Sequence, residues 1–275
     1  MPTAGVRSSS IETARIRHQL AASLSTVVAM NAVAVIREGE GPEVLLVHGG
    51  ASPEATWGAL APLRAHWTLA RVYRRGYPPS PPPPEGRQDF EVDATDVGSL
   101  LGARPHVVAH SYGVLGTLIA ATRRPARVRS LTLIEPPLFY LVPGDPEVAR
   151  LERMGNAVLT RGLEADAATL REFLRLAGAP DVDDGPLPEE VARGVRRAHG
   201  GRLPGEARPA LELIRDAGIP SLVASGGHAP GLERICDALS TVLGAHRLVA
   251  PGAGHFVAAA PGFVNRLHEF LASAA

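Results

Sequence analysis

Residues 109–113, which read Ala-His-Ser-Tyr-Gly, constrain the fold more than any other segment of the chain. They join a short apolar run at residues 107–109 to an apolar-rich stretch at residues 112–122. A serine with small residues two positions before and after it, between a strand and a helix, is typical of a very tight turn that lifts the hydroxyl above the sheet edge. Such a turn leaves the backbone N–H of Tyr112 at a helix N-terminus, where it can stabilise negative charge. Ser111 is therefore a candidate nucleophile; the alternative is that these residues form only a turn.

Short apolar runs alternate with amphipathic stretches along most of the 275 residues. The strand-like runs cover residues 26–30, 32–36, 44–47, 67–73, 107–109, 128–134, 220–224 and 246–250. Helical patterns cover residues 9–24, 56–65, 89–101, 112–122, 207–217, 232–243 and 262–271. This alternation predicts an α/β fold with a mostly parallel central sheet and flanking helices, and the chain is long enough to bury one large core.

The strand pattern stops between residues 138 and 205, where three helical segments occur instead, at residues 146–159, 166–177 and 188–199. A helical insertion at this place predicts a lid, and the alternative is a helical bundle without a role in the site. We therefore expect a helical extension at residues 1–25, a core at residues 26–137 and 206–275, and a lid at residues 138–205. The apolar side chains at the start of the lid are expected to line a substrate pocket. They are Leu138, Phe139 and Tyr140.

Three strand-like runs end in residues that can carry chemistry. The first ends in His48-Gly49-Gly50, and glycines there let backbone N–H groups approach a ligand, so Gly50 is a second candidate donor to an oxyanion. We expect His48 itself to be structural. Glu135 directly follows the run at 128–134, and Pro136 ends strand pairing there. His255 follows the last run in a glycine-rich loop, where a base could reach Ser111.

Composition excludes several classes of function. Acidic and basic residues number 28 each, so no electrostatic feature favours a nucleic-acid partner. The single cysteine, Cys236, cannot form an internal disulfide and is expected to be a buried inert thiol. The ten histidines form no helical metal-binding motif, so we expect neither a metal nor a cofactor. The mildly apolar segment 20–36 contains Asn31 and is too short to span a bilayer, which predicts a cytoplasmic protein without a membrane partner.

The glycine-rich strand end at 48–50, the serine turn and the loop 251–255 occur in an order that resembles the α/β-hydrolase fold superfamily. The resemblance extends from about residue 26 to the C-terminus. It implies acyl transfer, in which Ser111 attacks a carbonyl, His255 takes its proton, and the N–H groups of Tyr112 and Gly50 hold the oxyanion.

The chain departs from that superfamily at the acid. Many members carry an aspartate after the next-to-last strand, where this chain has Ala229. Glu233 and Asp237 follow within a helix, too far along it to reach His255. Haloalkane dehalogenases and some lactonases instead place the acid one strand beyond the nucleophile, where this chain has Glu135. The resemblance therefore implies the triad Ser111, His255 and Glu135.

A serine nucleophile argues against dehalogenase and epoxide hydrolase chemistry, since those members use an aspartate there. We therefore expect a serine hydrolase that cleaves an ester, thioester or lactone of a small to medium, mostly apolar molecule. Two alternatives stay open. One is a cofactor-free lyase, cyclase or perhydrolase on the same fold, and the other is a non-catalytic small-molecule receptor, which the absence of an aspartate at position 229 favours. The sequence does not indicate an oligomeric state.

Overall fold

The computed structural model describes residues 32–180, 182 and 185–274. In this part of the chain seven strands form one sheet, with the order β1-β3-β2-β4-β5-β6-β7. The strands are β1 (Val35–Glu38), β2 (Glu43–Val47), β3 (Thr68–Val72), β4 (His106–His110), β5 (Ser130–Ile134), β6 (Ser221–Ser225) and β7 (His246–Val249). Only β1 pairs antiparallel, so the predicted mostly parallel sheet is confirmed. The predicted helix at residues 9–24 and strand at residues 26–30 lie outside the described residues.

Helices cover both faces of the sheet. They are α1 (Pro53–Trp57), α2 (Phe90–Leu100), α3 (Gly113–Arg123), α4 (Pro146–Arg161), α5 (Ala167–Leu176), α6 (Glu189–Ala198), α7 (Leu211–Asp216), α8 (Pro230–Leu243) and α9 (Phe263–Ser273). No helix among the described residues combines the length and apolar character needed to cross a bilayer. The largest difference from the sequence prediction follows α1, where Gly58–Ala65 forms a 3₁₀ helix instead of an α-helix. This segment contains Pro62, which has no backbone N–H to donate to an α-helical hydrogen bond.

The central strands are buried on both faces because a parallel sheet needs helices on each side. Alternate residues of β2 enter different cores, with Leu45 and Val47 on one side and Val44 and Leu46 on the other. All five residues of β4, β5 and β6 are buried. The continuous apolar runs in the sequence are therefore explained by two-sided burial.

The register of the strands brings three separate chain segments to one edge of the sheet. His110 at the end of β4 lies opposite Ile134 at the end of β5, and Ile134 lies opposite Ala224 in β6. Consequently Ser111 and Glu135, each the next residue along its chain segment, meet at the carboxyl edge. Ligand sites of parallel α/β sheets form at this edge.

The segment between β5 and β6 contains α4, α5 and α6, close to the three helices predicted there. These helices share a small apolar core of their own, which includes Val158, Leu174 and Val195. A cavity of about 200 Å³ lies among them, lined in part by Leu163, Leu170 and Leu187, and Ser111 does not line it.

Candidate active site

Ser111 lies in the tight turn that the sequence predicts. Its backbone has a positive φ of 53°, and its N–H donates to the carbonyl of Ile134 at 2.8 Å. Gly113 is required because a Cβ there would lie 2.3 Å from the His48 carbonyl oxygen. A Cβ on Gly49 would lie 2.7 Å from the Ser111 Cβ, so the glycine-rich end of β2 packs directly against the serine.

Glu135 and His255 form a hydrogen-bonded pair beside this turn. The Nδ1–H of His255 donates to Glu135 Oε2 at 2.5 Å, and the backbone N–H of Gly226 donates to Glu135 Oε1 at 2.7 Å. Glu135 is only 1% exposed and its backbone also has a positive φ, 47°. The structure therefore brings the predicted acid to the predicted base, with the carboxylate fixed at both oxygens.

A second histidine lies on the other side of the same carboxylate. His228 Nδ1 is 3.3 Å from Glu135 Oε1, while His255 occupies Oε2. Burial by itself would raise the pKa of Glu135, but the neighbouring His228 and His255 rings outweigh it and lower the pKa to about 2. The carboxylate is thus ionised throughout the neutral and mildly acidic range.

His110 connects the serine turn to the histidine loop. Its Nε2–H donates to the backbone carbonyl of His255 at 2.9 Å, and the two rings lie 4.4 Å apart. Burial, with a smaller effect of His255, lowers the pKa of His110 to about 3, so the ring is neutral. The Ser111 hydroxyl has no hydrogen-bond partner among the described residues, so Ser111 and His255 are not hydrogen-bonded to each other in this structure. Catalytic hydrogen bonds are often long without substrate and tighten only when it binds.

The peptide that joins Gly49 to Gly50 is oriented by a buried arginine. Arg74 Nη1 donates to the Gly49 carbonyl at 2.9 Å, and Arg74 is itself held by Asp93 through Nη2 and Oδ2, 2.6 Å apart. Burial opposes the charge on Arg74, but the Asp93 carboxylate outweighs it and raises the pKa of the guanidinium. Tyr77 adds a hydrogen bond of 2.7 Å to the Gly50 carbonyl. Because the C=O and N–H of a trans peptide point in opposite directions, the N–H of Gly50 points away from Arg74.

A model of the alpha/beta hydrolase family matches residues 44–267. The chain belongs to this family. It is 34% identical over 194 residues to a pimeloyl-acyl-carrier-protein methyl ester esterase of Methylococcus capsulatus, covering 66% of this chain and 70% of that protein.

Solved structures agree with this membership at the level of the fold. A thermophilic esterase from Thermogutta terrifontis superposes with a TM-score of 0.62 at 20% identity, covering 91% of this chain and 97% of that one. An alpha/beta hydrolase from Sphaerobacter thermophilus gives a TM-score of 0.63 at 22% identity, and the match covers 90% of this chain and 100% of that one.

In this α/β hydrolase, His48 has the structural place that the sequence predicts. Its Nε2 accepts a hydrogen bond from the Arg74 backbone N–H at 3.1 Å, and its Nδ1–H donates to the Ala51 carbonyl at 2.8 Å. Burial, followed by the charge of Arg74, lowers the pKa of His48 well below the ordinary histidine value. The neutral ring therefore ties the end of β2 to the segment after β3. Cys236 is likewise buried, and burial raises the pKa of its thiol.

The other acidic residues of this region have different partners. Glu233 accepts from the Ser225 hydroxyl at 2.7 Å and from Arg247 at 2.6 Å. Asp237 also pairs with Arg247, at 2.8 Å. These two carboxylates therefore hold the end of β6 and strand β7, whereas Glu135 alone of the three bonds to His255.

The residues expected to line the pocket pack against the core. Leu138 is fully buried, Phe139 is 7% exposed, and the ring of Tyr140 lies under the guanidinium of Arg208 at 4.5 Å. Their contact with a substrate stays a prediction.

One cluster in the described ranges has the composition of a metal site, since ligand atoms of Glu135, His228 and His255 all lie within 4.8 Å of one another. His255 Nδ1 and Glu135 Oε2 lie 2.5 Å apart, within hydrogen-bond distance. Two ligands on one tetrahedral zinc ion would lie farther apart, at about 3.4 Å. The hydrogen bond therefore accounts for the approach of His255 to Glu135, the shortest contact in this cluster.

Four functional neighbours were not identified from the sequence: His110, Arg74, Asp93 and His228. Arg74 precedes Arg75 in a loop, and the sequence does not show which of the two is buried. His228 lies in the segment after the next-to-last strand, one position before Ala229, but a histidine facing the acid from that segment has no motif of its own. His110 lies inside the serine turn, but the motif that identifies this turn depends on the small residues around Ser111 and places no requirement on position 110.

Proposed function

We propose that this α/β hydrolase is a serine hydrolase that cleaves a carboxylic ester, thioester or lactone through an acyl-enzyme on Ser111. The observation that carries the proposal is the contact of Glu135 with His255 at the sheet edge where Ser111 stands in a strained turn. A left-handed serine backbone costs free energy, about 1–3 kcal/mol, and such strain concentrates at functional sites. The absence of an aspartate at position 229 favours a receptor over an enzyme. In this proposal the buried carboxylate of Glu135 takes the role of that aspartate.

The reaction follows from these positions. His255 Nε2 accepts the proton of the Ser111 hydroxyl as that oxygen attacks the substrate carbonyl carbon, and the resulting imidazolium is stabilised by Glu135. The backbone N–H groups of Tyr112 and Gly50 hold the negative oxygen of the tetrahedral intermediate. His255 then protonates the leaving alcohol or thiol, and water releases the acyl group by the same steps in reverse order.

The oxyanion site gives a prediction about Arg74 and Asp93. Replacing the pair together by Arg74→Met and Asp93→Leu removes the donor to Gly49 without leaving an unpaired buried charge. We expect kcat to fall by about 10²-fold, the order of the loss of one oxyanion donor, with a smaller change in KM. The measurement is steady-state kinetics beside thermal unfolding.

The matched control is the neighbouring pair, Arg75→Met with Asp96→Leu, whose ions lie 2.7 Å apart. This pair bridges the same loop and helix α2. If the two double variants lost equal activity, orientation of the Gly49–Gly50 peptide would not be the role of Arg74.

The pH dependence of hydrolysis distinguishes the role of His255, the base, from that of Glu135, the acid. Hydrolysis should fall as the pH is lowered, because a histidine base must be unprotonated to accept the serine proton. Glu135 makes no contribution to this limb, since its pKa is lowered to about 2. The kcat/KM profile between pH 4 and 9 tests this, and a rate that is flat down to pH 4 would contradict a histidine base.

The ester class is supported by the relative from Methylococcus capsulatus, whose name describes a methyl ester esterase. We propose a small to medium, mostly apolar acyl group, with residues 138–205 acting as the lid over it and Leu138, Phe139 and Tyr140 at its edge. A panel of p-nitrophenyl esters of increasing chain length, together with thioesters and small lactones, identifies the class. Turnover of none of them by pure protein would contradict the proposal.

A further inference from the structure

The ring of His228 lies between two oxygen acceptors. Its Nε2 is 3.0 Å from the carbonyl oxygen of Leu176, at the end of lid helix α5, and its Nδ1 is 3.3 Å from Glu135 Oε1. Its Nε2 is hydrogen-bonded to Leu176, whereas its Nδ1 is buried and has no aligned hydrogen-bond partner among the described residues. In a neutral ring that donates to Leu176, this nitrogen would hold a lone pair 3.3 Å from a carboxylate oxygen, and protonation turns that repulsion into an ion pair. Only the doubly protonated ring donates to Leu176 and also places a positive charge beside Glu135.

The surrounding charges favour the same state. Glu135 faces the ring from the end of β5, and Glu233 faces it from α8, although Glu233 is also paired with Arg247. The Glu135 carboxylate beside it raises the pKa of His228, and burial opposes this only in part. The other titratable neighbour is His255, whose ring centre is 6.2 Å away.

We propose that His228 is a positioning residue that, as an imidazolium, fixes the Glu135 carboxylate from the side opposite His255 and ties that acid to the lid through Leu176. This inference rests on the proposed function, because Glu135 must be the acid of the triad. His228 is thus next to position 229, where many family members carry the acid, and it acts on Glu135, the acid of this chain.

A positive charge at position 228 has a measurable effect on the base. It offsets part of the Glu135 charge and repels a second proton on His255, so His255 gives up its proton at a lower pH. Unit charges about 6 Å apart shift a titration by roughly 0.5 pH units at a dielectric constant of 80 and about 2 units at 20. Loss of the His228 charge should therefore move the midpoint of His255 to higher pH by an amount in this range.

The experiment compares His228→Gln, which keeps a donor without charge, with His228→Lys, which keeps the charge. Histidine side chains labelled with ¹⁵N are titrated by NMR in the inactive Ser111→Ala background, and signals are assigned through variants that lack each ring. His246→Gln is the control, since His246 is an exposed histidine at the start of β7. In active protein, the acid limb of kcat/KM is measured for the same substitutions.

We expect His228 to carry two ring protons at pH 7. The His228→Gln substitution should move both the His255 titration midpoint and the acid limb of kcat/KM to higher pH. The His228→Lys substitution should restore both toward the parent values. A singly protonated His228 at pH 7, or Gln and Lys variants that give equal His255 midpoints, would overturn the inference. The NMR readings do not depend on turnover. A protein without hydrolase activity would contradict the proposed function, while the titration would still decide the role of His228.

Discussion

Replacing Ser111 with alanine is expected to lower kcat for ester hydrolysis by about 10⁶-fold, the order seen when a triad serine is removed. In the proposed mechanism the Ser111 hydroxyl oxygen forms the acyl-enzyme, and alanine offers no replacement for it. The residual rate should come from the oxyanion donors and substrate binding alone. The measurement is single-turnover and steady-state kinetics on the best p-nitrophenyl ester.

The matched control is Ser99→Ala, because Ser99 lies on α2 and its hydroxyl bonds, among the described residues, only to the carbonyl of Asp96. It should keep parental activity. A Ser111→Ala protein that is folded and retains even a tenth of the parental kcat would show that the nucleophile lies elsewhere.

Replacing Glu135 with glutamine is expected to lower kcat by about 10⁴-fold, by analogy with loss of the orienting acid in serine proteases. The substitution keeps the size of the side chain, and the amide oxygen can still accept from Gly226, which bonds to Oε1 at 2.7 Å. What is lost is the negative charge that stabilises the protonated His255 and selects its tautomer. KM should change much less than kcat, because Glu135 is buried away from solvent.

Glu233→Gln and Asp237→Asn are the comparison variants, since both carboxylates pair with Arg247 instead of His255. Each should keep most of the activity. If Glu135→Gln left hydrolysis unchanged while either comparison variant abolished it, the assignment of the acid would be wrong. Thermal unfolding of all three variants separates lost chemistry from lost structure.

Much of the fold could be predicted because two-sided burial and strand ends leave strong signals. The run at β2 is continuously apolar, Ser111 and Glu135 each follow a strand directly, and His255 lies in the loop after the last strand. In a parallel sheet, such residues share one edge whatever the detailed register. The sequence therefore predicts that these residues lie near one another, but it does not predict the hydrogen bond between Glu135 and His255.

The remaining features depend on tertiary packing, which leaves no local pattern. Arg74 is 3% exposed because Asp93 and Gly49 surround it, yet the sequence shows an arginine pair in a proline-rich loop. Leu138 is fully buried in the main core, and its apolar character predicts a core position as well as a pocket position. His228 acquires its place from a carboxylate 93 positions earlier in the chain and the backbone carbonyl of Leu176, 52 positions earlier.

Covalent labelling with a fluorophosphonate tests the central claim most directly, because the probe reacts with an activated serine and requires no knowledge of the substrate. Intact-mass and peptide analysis should show one adduct, on Ser111. The adduct should be absent in Ser111→Ala and form far more slowly in Glu135→Gln than in Glu233→Gln. Absence of labelling in the parent protein, or an adduct on another residue, would contradict a nucleophile at Ser111 activated by His255 and Glu135.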